Sequence, residues 1–315
     1  MTSIDVVFDS IKEGWQFVEK NFIGLFKKIL TIHLLAAVVL IAGILITALL
    51  GLGIYELLGP LGVLVALLAA IPLTFLVSVA ATTVQSIVYN VVNKWPAPIG
   101  INETFNNNLK PVLFYSLAMT AIGIIVIIIE LVIVFVIGLG MRGVFYTSMD
   151  PSTASGMIDL LTALLRYLID LTIKLIIGFL FQFALFELII TRMGALGSLK
   201  KSIDIALKNF VPTIVFDILV GLLEGFILMV LAVPLIILLM FAALVFVLIL
   251  PSISTGALSA AEWAIIGVAV LIVLAALTVI VAIATTVTLP MKYTYWRKVR
   301  GNEVEKKTRP APTKR

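Results

Sequence analysis

Apolar residues run along this chain in long stretches, and in three places an amphipathic segment leads into one of them. From Ile4 to Lys28, a helical stripe collects Ile4, Val7, Phe8, Ile11, Trp15, Val18, Phe22 and Leu25, continued by Ile29. Asp5, Asp9, Lys12, Glu13, Gln16, Glu19 and Lys20 fall off that stripe. The pattern predicts a helix lying in a membrane interface, although an ordinary helix packed on a bundle has the same periodicity. It lacks the basic start and small-residue cleavage site of a signal peptide, so it is expected to be retained. Ile29 to Gly53 is almost wholly apolar and predicts a first span, since about 20 residues cross a hydrocarbon core of ~30 Å. Gly51, Gly53, Gly59 and Pro60 suggest a turn. Leu61 to Val92 predicts a second span with an expected kink at Pro72, closing at Asn93-Lys94-Trp95-Pro96.

The pattern then recurs. Ile99 to Lys110 is a weaker amphipathic segment, followed by a third span from Val112 to Gly140, a loop from Met141 to Ser155 and a fourth span near Leu171 to Thr191. In the last third, Leu196, Leu199, Ile203, Leu207 and Phe210 share an apolar face, with Lys200, Lys201, Asp204 and Lys208 off it. A fifth span is expected from Val211, kinking at Pro234 and extending outward, and a sixth from Trp263 to Pro290. Lys20-Asn21-Phe22-Ile23-Gly24, Asn107-Asn108-Leu109-Lys110-Pro111 and Lys208-Asn209-Phe210-Val211-Pro212 stand at corresponding places, and Ala81-Thr82-Thr83-Val84 recurs as Ala284-Thr285-Thr286-Val287. The expectation is an all-α, polytopic integral membrane helix bundle. Its membrane domain, residues 1–299, holds six transmembrane helices as three helical pairs, each preceded by an amphipathic interfacial helix, with units near 3–95, 98–193 and 195–298.

Composition agrees with this reading. The chain is 62% hydrophobic and 12% charged, against about 25% charged in soluble domains. Absent cysteine removes disulfides and thiolate chemistry, and the single His33 excludes a His-rich metal site. All but three of the 22 Lys and Arg (Arg142, Arg166 and Lys174) fall on what six crossings make one side. The positive-inside bias therefore predicts cytoplasmic termini in a plasma (cytoplasmic) membrane. Residues 300–315, rich in Lys, Arg and Pro, are expected to be a disordered basic tail that meets anionic lipid headgroups at the cytoplasmic face.

Ionisable residues at membrane depth are candidates for function because an unpaired charge in lipid is costly. Asp217 and Glu224 are seven apart, hence on one helical face, with Gly221 and Gly225 beside them in a Gly-x-x-x-Gly pattern. They predict either a tight helix contact or a polar path for a small solute or ion. By helix rise, Glu130 and Lys174 lie at similar depth and form a candidate interhelical ion pair; its rival is a local ladder, Arg166-Asp170-Lys174. Glu187 and His33 are expected near the inner boundary, where snorkelling or a water-filled vestibule is cheap.

No nucleophile elbow, zincin or P-loop is present, and no Gly-x-Gly-x-x-Gly follows a strand, so no enzyme activity, cofactor or metal is expected. The basic groups flank spans, which gives no reason to expect nucleic acid as a partner. The three pairs of spans, with their Asn-Phe or Asn-Leu turns followed by Gly or Pro, resemble a diffuse family of six-span bacterial and archaeal membrane proteins. That group includes the membrane domain that precedes some glycerophosphodiester phosphodiesterases. The resemblance implies the fold alone, since the catalytic domain has no counterpart here. Permeation or transport through the repeat interface is the expected function. The alternative is a non-catalytic module that organises lipids or anchors a partner. A hydrated cavity at Asp217 or Glu224 favours the first, and carboxyls held between helices favour the second.

Overall fold

A computed structural model of the protein describes residues 4–58, 75, 79–96, 101–148, 151–254 and 259–308. Its regular elements are all helices: α1 (Asp5–Leu58), α2 (79–93), α3 (Ile101–Ser148), α4 (Pro151–Phe181), α5 (Ala184–Ile190), α6 (Ala195–Lys208), α7 (Phe210–Ser254) and α8 (Ala260–Thr308). Among the described residues five stretches are long and apolar enough to cross a membrane: Asp5–Val38, Asn107–Ile137, Leu160–Ile190, Phe210–Phe241 and Ile265–Gly301. By helix length and hydropathy this is a polytopic, all-α membrane protein. Most of the expected second span, with Pro72 and the Gly59-Pro60 turn, lies outside the described residues.

Several boundaries differ from expectation, each for an identifiable reason. The first two amphipathic segments are not separate helices. α1 runs unbroken through Lys27, Lys28, Gly51 and Gly53, and α3 runs unbroken through Pro111. Glycine in an apolar helix costs only about 1 kcal/mol, too little to stop helices whose backbone has no other partner in lipid. The expected 141–155 loop is helical on both sides of residues 149 and 150, with Pro151 in the first turn of α4, where its missing N–H costs nothing. α7 continues through Pro234. The tail expected to be disordered from residue 300 is helical as far as Thr308, through the helix formers Glu303, Glu305, Lys306 and Lys307.

By packing, the chain forms two units, one of residues 1–108 with 209–315 and the other of residues 109–208. In the first, α1 packs chiefly on α8. Val7, Ser10, Gly14, Val18, Leu25, Ile29 and Ile32 are buried along one side of α1. The predicted stripe is therefore split: Val7, Val18, Leu25 and Ile29 meet protein, while Ile4, Phe8 and Trp15 stay exposed. Gly14 explains the closeness of the contact, because a Cβ built there would stand 2.6 Å from the Cα of Met291. Beside it, Lys298 Nζ lies 2.6 Å and Arg297 Nη2 3.8 Å from the Glu13 carboxylate.

The end of α2 docks on the same helix. Trp95 Nε1 donates to Asn21 Oδ1 at 2.8 Å, its ring lies over the bare face of Gly24, and Lys28 Nζ stands 4.7 Å from the ring centroid. Asn21 and Gly24, two residues of the first recurring motif, thus form a seat for an indole. One step along, Tyr293 Oη donates to Asn93 Oδ1 at 2.8 Å.

In the second unit the expected fourth span is broken. α4 ends at Phe181, and α5 begins after a turn at Gln182 and Phe183. Ser202 of α6 serves the break from the side: its hydroxyl donates to the Leu180 carbonyl at 2.7 Å and accepts the Phe183 N–H at 3.2 Å. A buried donor and acceptor are thereby satisfied by one side chain. α6 turns Ser198, Leu199, Ser202, Ile205 and Ala206 inward, so small residues at successive turns set its approach. Leu196, Leu207 and, just beyond α6, Phe210 are exposed. The predicted apolar face is thus divided, with Leu199 packed inward and these three free for lipid. On the outer flank, the hydrogen bond from Lys208 to Asp204 at 3.0 Å holds the Asp204 carboxyl below its ordinary range.

Gly14→Ala should lower thermal stability in detergent by on the order of 1–3 kcal/mol, since the clash is with backbone and no side chain can swing away. Nothing lies within 4 Å of a Cβ at Gly221 or Gly225, so Gly221→Ala and Gly225→Ala should be neutral or slightly stabilising. Equal losses at all three positions would contradict this account of the α1–α8 contact.

Candidate functional site

The carboxylates expected to matter most sit on the side of α7 that faces α8. Thr213, Phe216 and Val220 are buried there, while Asp217 and Glu224 flank them, each half-buried. Tyr295 of α8 fills the space between. Its ring stacks on Phe216 with centroids 4.1 Å apart and planes 8° from parallel, and its hydroxyl shares a hydrogen bond with Thr213 at 3.0 Å. Asp217 acts electrostatically on Tyr295. Glu224 meets Lys292 Nζ at 3.4 Å. The contacts climb α7 from Thr213 to Glu224 while descending α8 from Tyr295 to Lys292, as expected of antiparallel neighbours.

Gly221 and Gly225 lie on the outer side of this face and are exposed. The expected tight helix contact through Gly-x-x-x-Gly is not formed among the described residues. Helical geometry explains this: steps of 100° carry Gly221 and then Gly225 progressively away from the sector centred on Phe216 and Val220.

The Glu224–Lys292 pair also sets depth. Beyond it, Gly225 to Leu250 on α7 and Ile265 to Met291 on α8 contain no charged residue, about 39 and 40 Å of helix at ~1.5 Å per residue. Each suffices for the hydrocarbon core. Glu224 therefore stands at the edge of the apolar zone.

The other predicted residues divide. Lys174 Nζ bonds Asp170 Oδ2 at 2.7 Å, one turn away on α4. Of the rival ladder only the Asp170–Lys174 rung thus forms among the described residues, because a neighbour at i,i+4 is reached without closing the gap between helices. Glu130 instead lines an open cleft of about 610 Å³ together with Arg166, Tyr167 and Asp170. Glu187 does not snorkel. It is wholly buried in α5, with the Thr191 hydroxyl 3.3 Å from its carboxylate and 2.5 Å from its carbonyl. The chain doubles back just beyond, at Arg192, whose φ of 55 is left-handed. His33 bonds the Ile29 carbonyl through Nδ1 at 2.9 Å, a contact within its own helix. No cluster of three metal-binding side chains occurs among the described residues.

Sequence reasoning passed over Gly14, Trp95 and Ser202. A glycine inside an amphipathic helix, and the Ser198, Ser202, Ala206 spacing of four, were the signals available. Thr83 and Thr286, at matching places in the recurring Ala-Thr-Thr-Val, each donate to the carbonyl four residues back, at 2.7 and 2.6 Å. Threonine does this in many helices. Comparison with protein-family models, curated proteins and solved structures gives no match to this chain.

Glu224→Gln and Lys292→Gln, made singly and together, should show a coupling of about 0.5–1 kcal/mol in detergent unfolding, the scale of a half-exposed pair. Glu130→Gln and Lys174→Gln should be additive. Coupling in the second pair and none in the first would reverse the assignment.

Proposed function

We propose that this protein is a non-catalytic module of the plasma membrane, multi-pass with both termini cytoplasmic, which organises lipid or anchors a partner at its basic side. The observation that carries the reading is that the polar groups of α1, α2, α7 and α8 are engaged with one another. Glu224 is matched by Lys292, Glu13 by Lys298, Tyr295 by Thr213 and Asn21 by Trp95. Such pairs fix helices against each other and leave the long apolar surfaces to lipid. Phe226, Met229 and Met240 on α7, each exposed by 65% or more, are examples. The cytoplasmic assignment rests on the distribution of Lys and Arg, and anionic headgroups are the expected partners of that side.

A second reading, passage of a small solute or ion along Asp217 and Glu224, is favoured by the half-exposure of the Glu224–Lys292 pair and the open glycines beside it. Internal repeats and acidic residues suit that class.

Flux measurements on reconstituted vesicles separate the two. The module reading expects proton, sodium and potassium leakage equal to that of protein-free vesicles, unaltered by Asp217→Asn or Glu224→Gln. A flux that falls about tenfold in either variant would install the second reading. A reporter fused at Arg315 should be cytoplasmic, and finding it outside would overturn the topology.

A further inference from the structure

The second unit carries a cleft that the α7 face does not account for. Glu130 and Val134 line it from α3, one turn apart, and Thr162, Arg166, Tyr167 and Asp170 line it from successive turns of α4. The backbones of α3 and α4 stay apart along most of their described length, which leaves the cleft open. Its volume of about 610 Å³ falls within the range of small-molecule sites. Asp170 is engaged by Lys174. Glu130 and Arg166 have no ion-pair partner among the described residues, and they do not reach each other within 4 Å. One cleft therefore holds a carboxylate and a guanidinium, set apart, neither of them in an ion pair within 4 Å among the described residues, on largely apolar helices.

We propose that this cleft binds the headgroup of a zwitterionic phospholipid bearing an ammonium group, its phosphate on Arg166 and its ammonium on Glu130. An anionic lipid would satisfy Arg166 and be repelled by Glu130. A simple cation would do the reverse. A phosphate joined to an ammonium answers both, through charge-assisted hydrogen bonds. The surroundings decide between a lipid and a soluble zwitterion. Leu131, Phe135, Leu164 and Leu168 flank the cleft and are exposed by 57%, 67%, 56% and 48%, a surface on which acyl chains can lie and from which a soluble zwitterion gains nothing. Depth agrees, since Glu130 is 20 residues from Lys110, about 30 Å along α3, at the far edge of the core from the basic side. The inference uses only the membrane location and is independent of which reading of the α7 face holds.

Lipid binding to the delipidated full-length protein in detergent, followed by native mass spectrometry, tests it with three probes: phosphatidylethanolamine, phosphatidylglycerol and soluble glycerophosphoethanolamine. Phosphatidylethanolamine should bind about tenfold or more tighter than the other two. Glu130→Gln and Arg166→Gln should each weaken it by roughly tenfold, the scale of a lost charged hydrogen bond. Glu130→Gln should also narrow the preference over phosphatidylglycerol. Val134→Trp, which fills the cleft and keeps both charges, should abolish binding. Lipid-free unfolding midpoints report whether each variant is folded. If one is not, the probe preferences of the native chain still decide. Equal or tighter phosphatidylglycerol binding would assign the cleft to anionic lipid. Equal binding of the soluble headgroup would assign it to a soluble zwitterion, and native affinity in all three folded variants would remove the site. Each of these results overturns the proposal.

Discussion

The first unit depends on two long helices passing close enough to touch backbone to backbone. Gly14 makes that possible, because any Cβ there would meet the Met291 main chain. Once α1 and α8 are in contact, the neighbouring polar groups find partners at little cost in ordering. Glu13 reaches Lys298, and Tyr293 and Tyr295 are held at the level where Asn93 and Thr213 can bond them. In lipid the hydrophobic effect gives helices no reason to prefer one another to acyl chains, so close packing and interhelical hydrogen bonds carry the association. That is why the specific contacts of this unit cluster at one end, while the apolar lengths of α7 and α8 present mostly exposed side chains.

The second unit solves a different problem. A helix that breaks inside a membrane protein frees backbone groups that lipid cannot satisfy, and the break at Gln182 and Phe183 would be costly left open. Ser202 supplies both a donor and an acceptor there, and the small side chains on the same face of α6 let it come near enough. Glu187 follows from this arrangement. The break turns α5 inward, and a carboxylate placed to reach the interface from a straight span is enclosed instead.

Much of the fold was legible because apolar run length is a strong signal. The spans around Asn107–Ile137, Leu160–Ile190, Phe210–Phe241 and Ile265–Gly301 follow directly from it. What periodicity does not convey is the identity of the solvent facing each stripe. Val7 and Phe8 belong to the same predicted apolar sector, yet one packs on protein and the other is exposed. On α6 the small Ser198, Ser202 and Ala206 face protein beside Leu199 and Ile205, while Leu196 and Leu207 are exposed. In water the larger apolar side chain is the better guide to the core. In a membrane the smaller one often is, because it admits a neighbouring helix while lipid accommodates the rest.

The candidate site shows the same limit in terms of charge. The sequence put Glu224 at membrane depth, because the fifth span was counted from Val211. Its partner corrects the count. An ammonium and a carboxylate joined at 3.4 Å share one depth, and Lys292 is the first charge after a long uncharged run on α8, so Glu224 must stand at that edge too. An acid in this place needs no solute to explain it, since Lys292 supplies the counter-charge that the lipid lacks. Glu130 is different, because Lys174, the partner expected for it, is bonded by Asp170. No ion pair within 4 Å answers Glu130 among the described residues, and it faces an open cleft rather than a neighbouring helix.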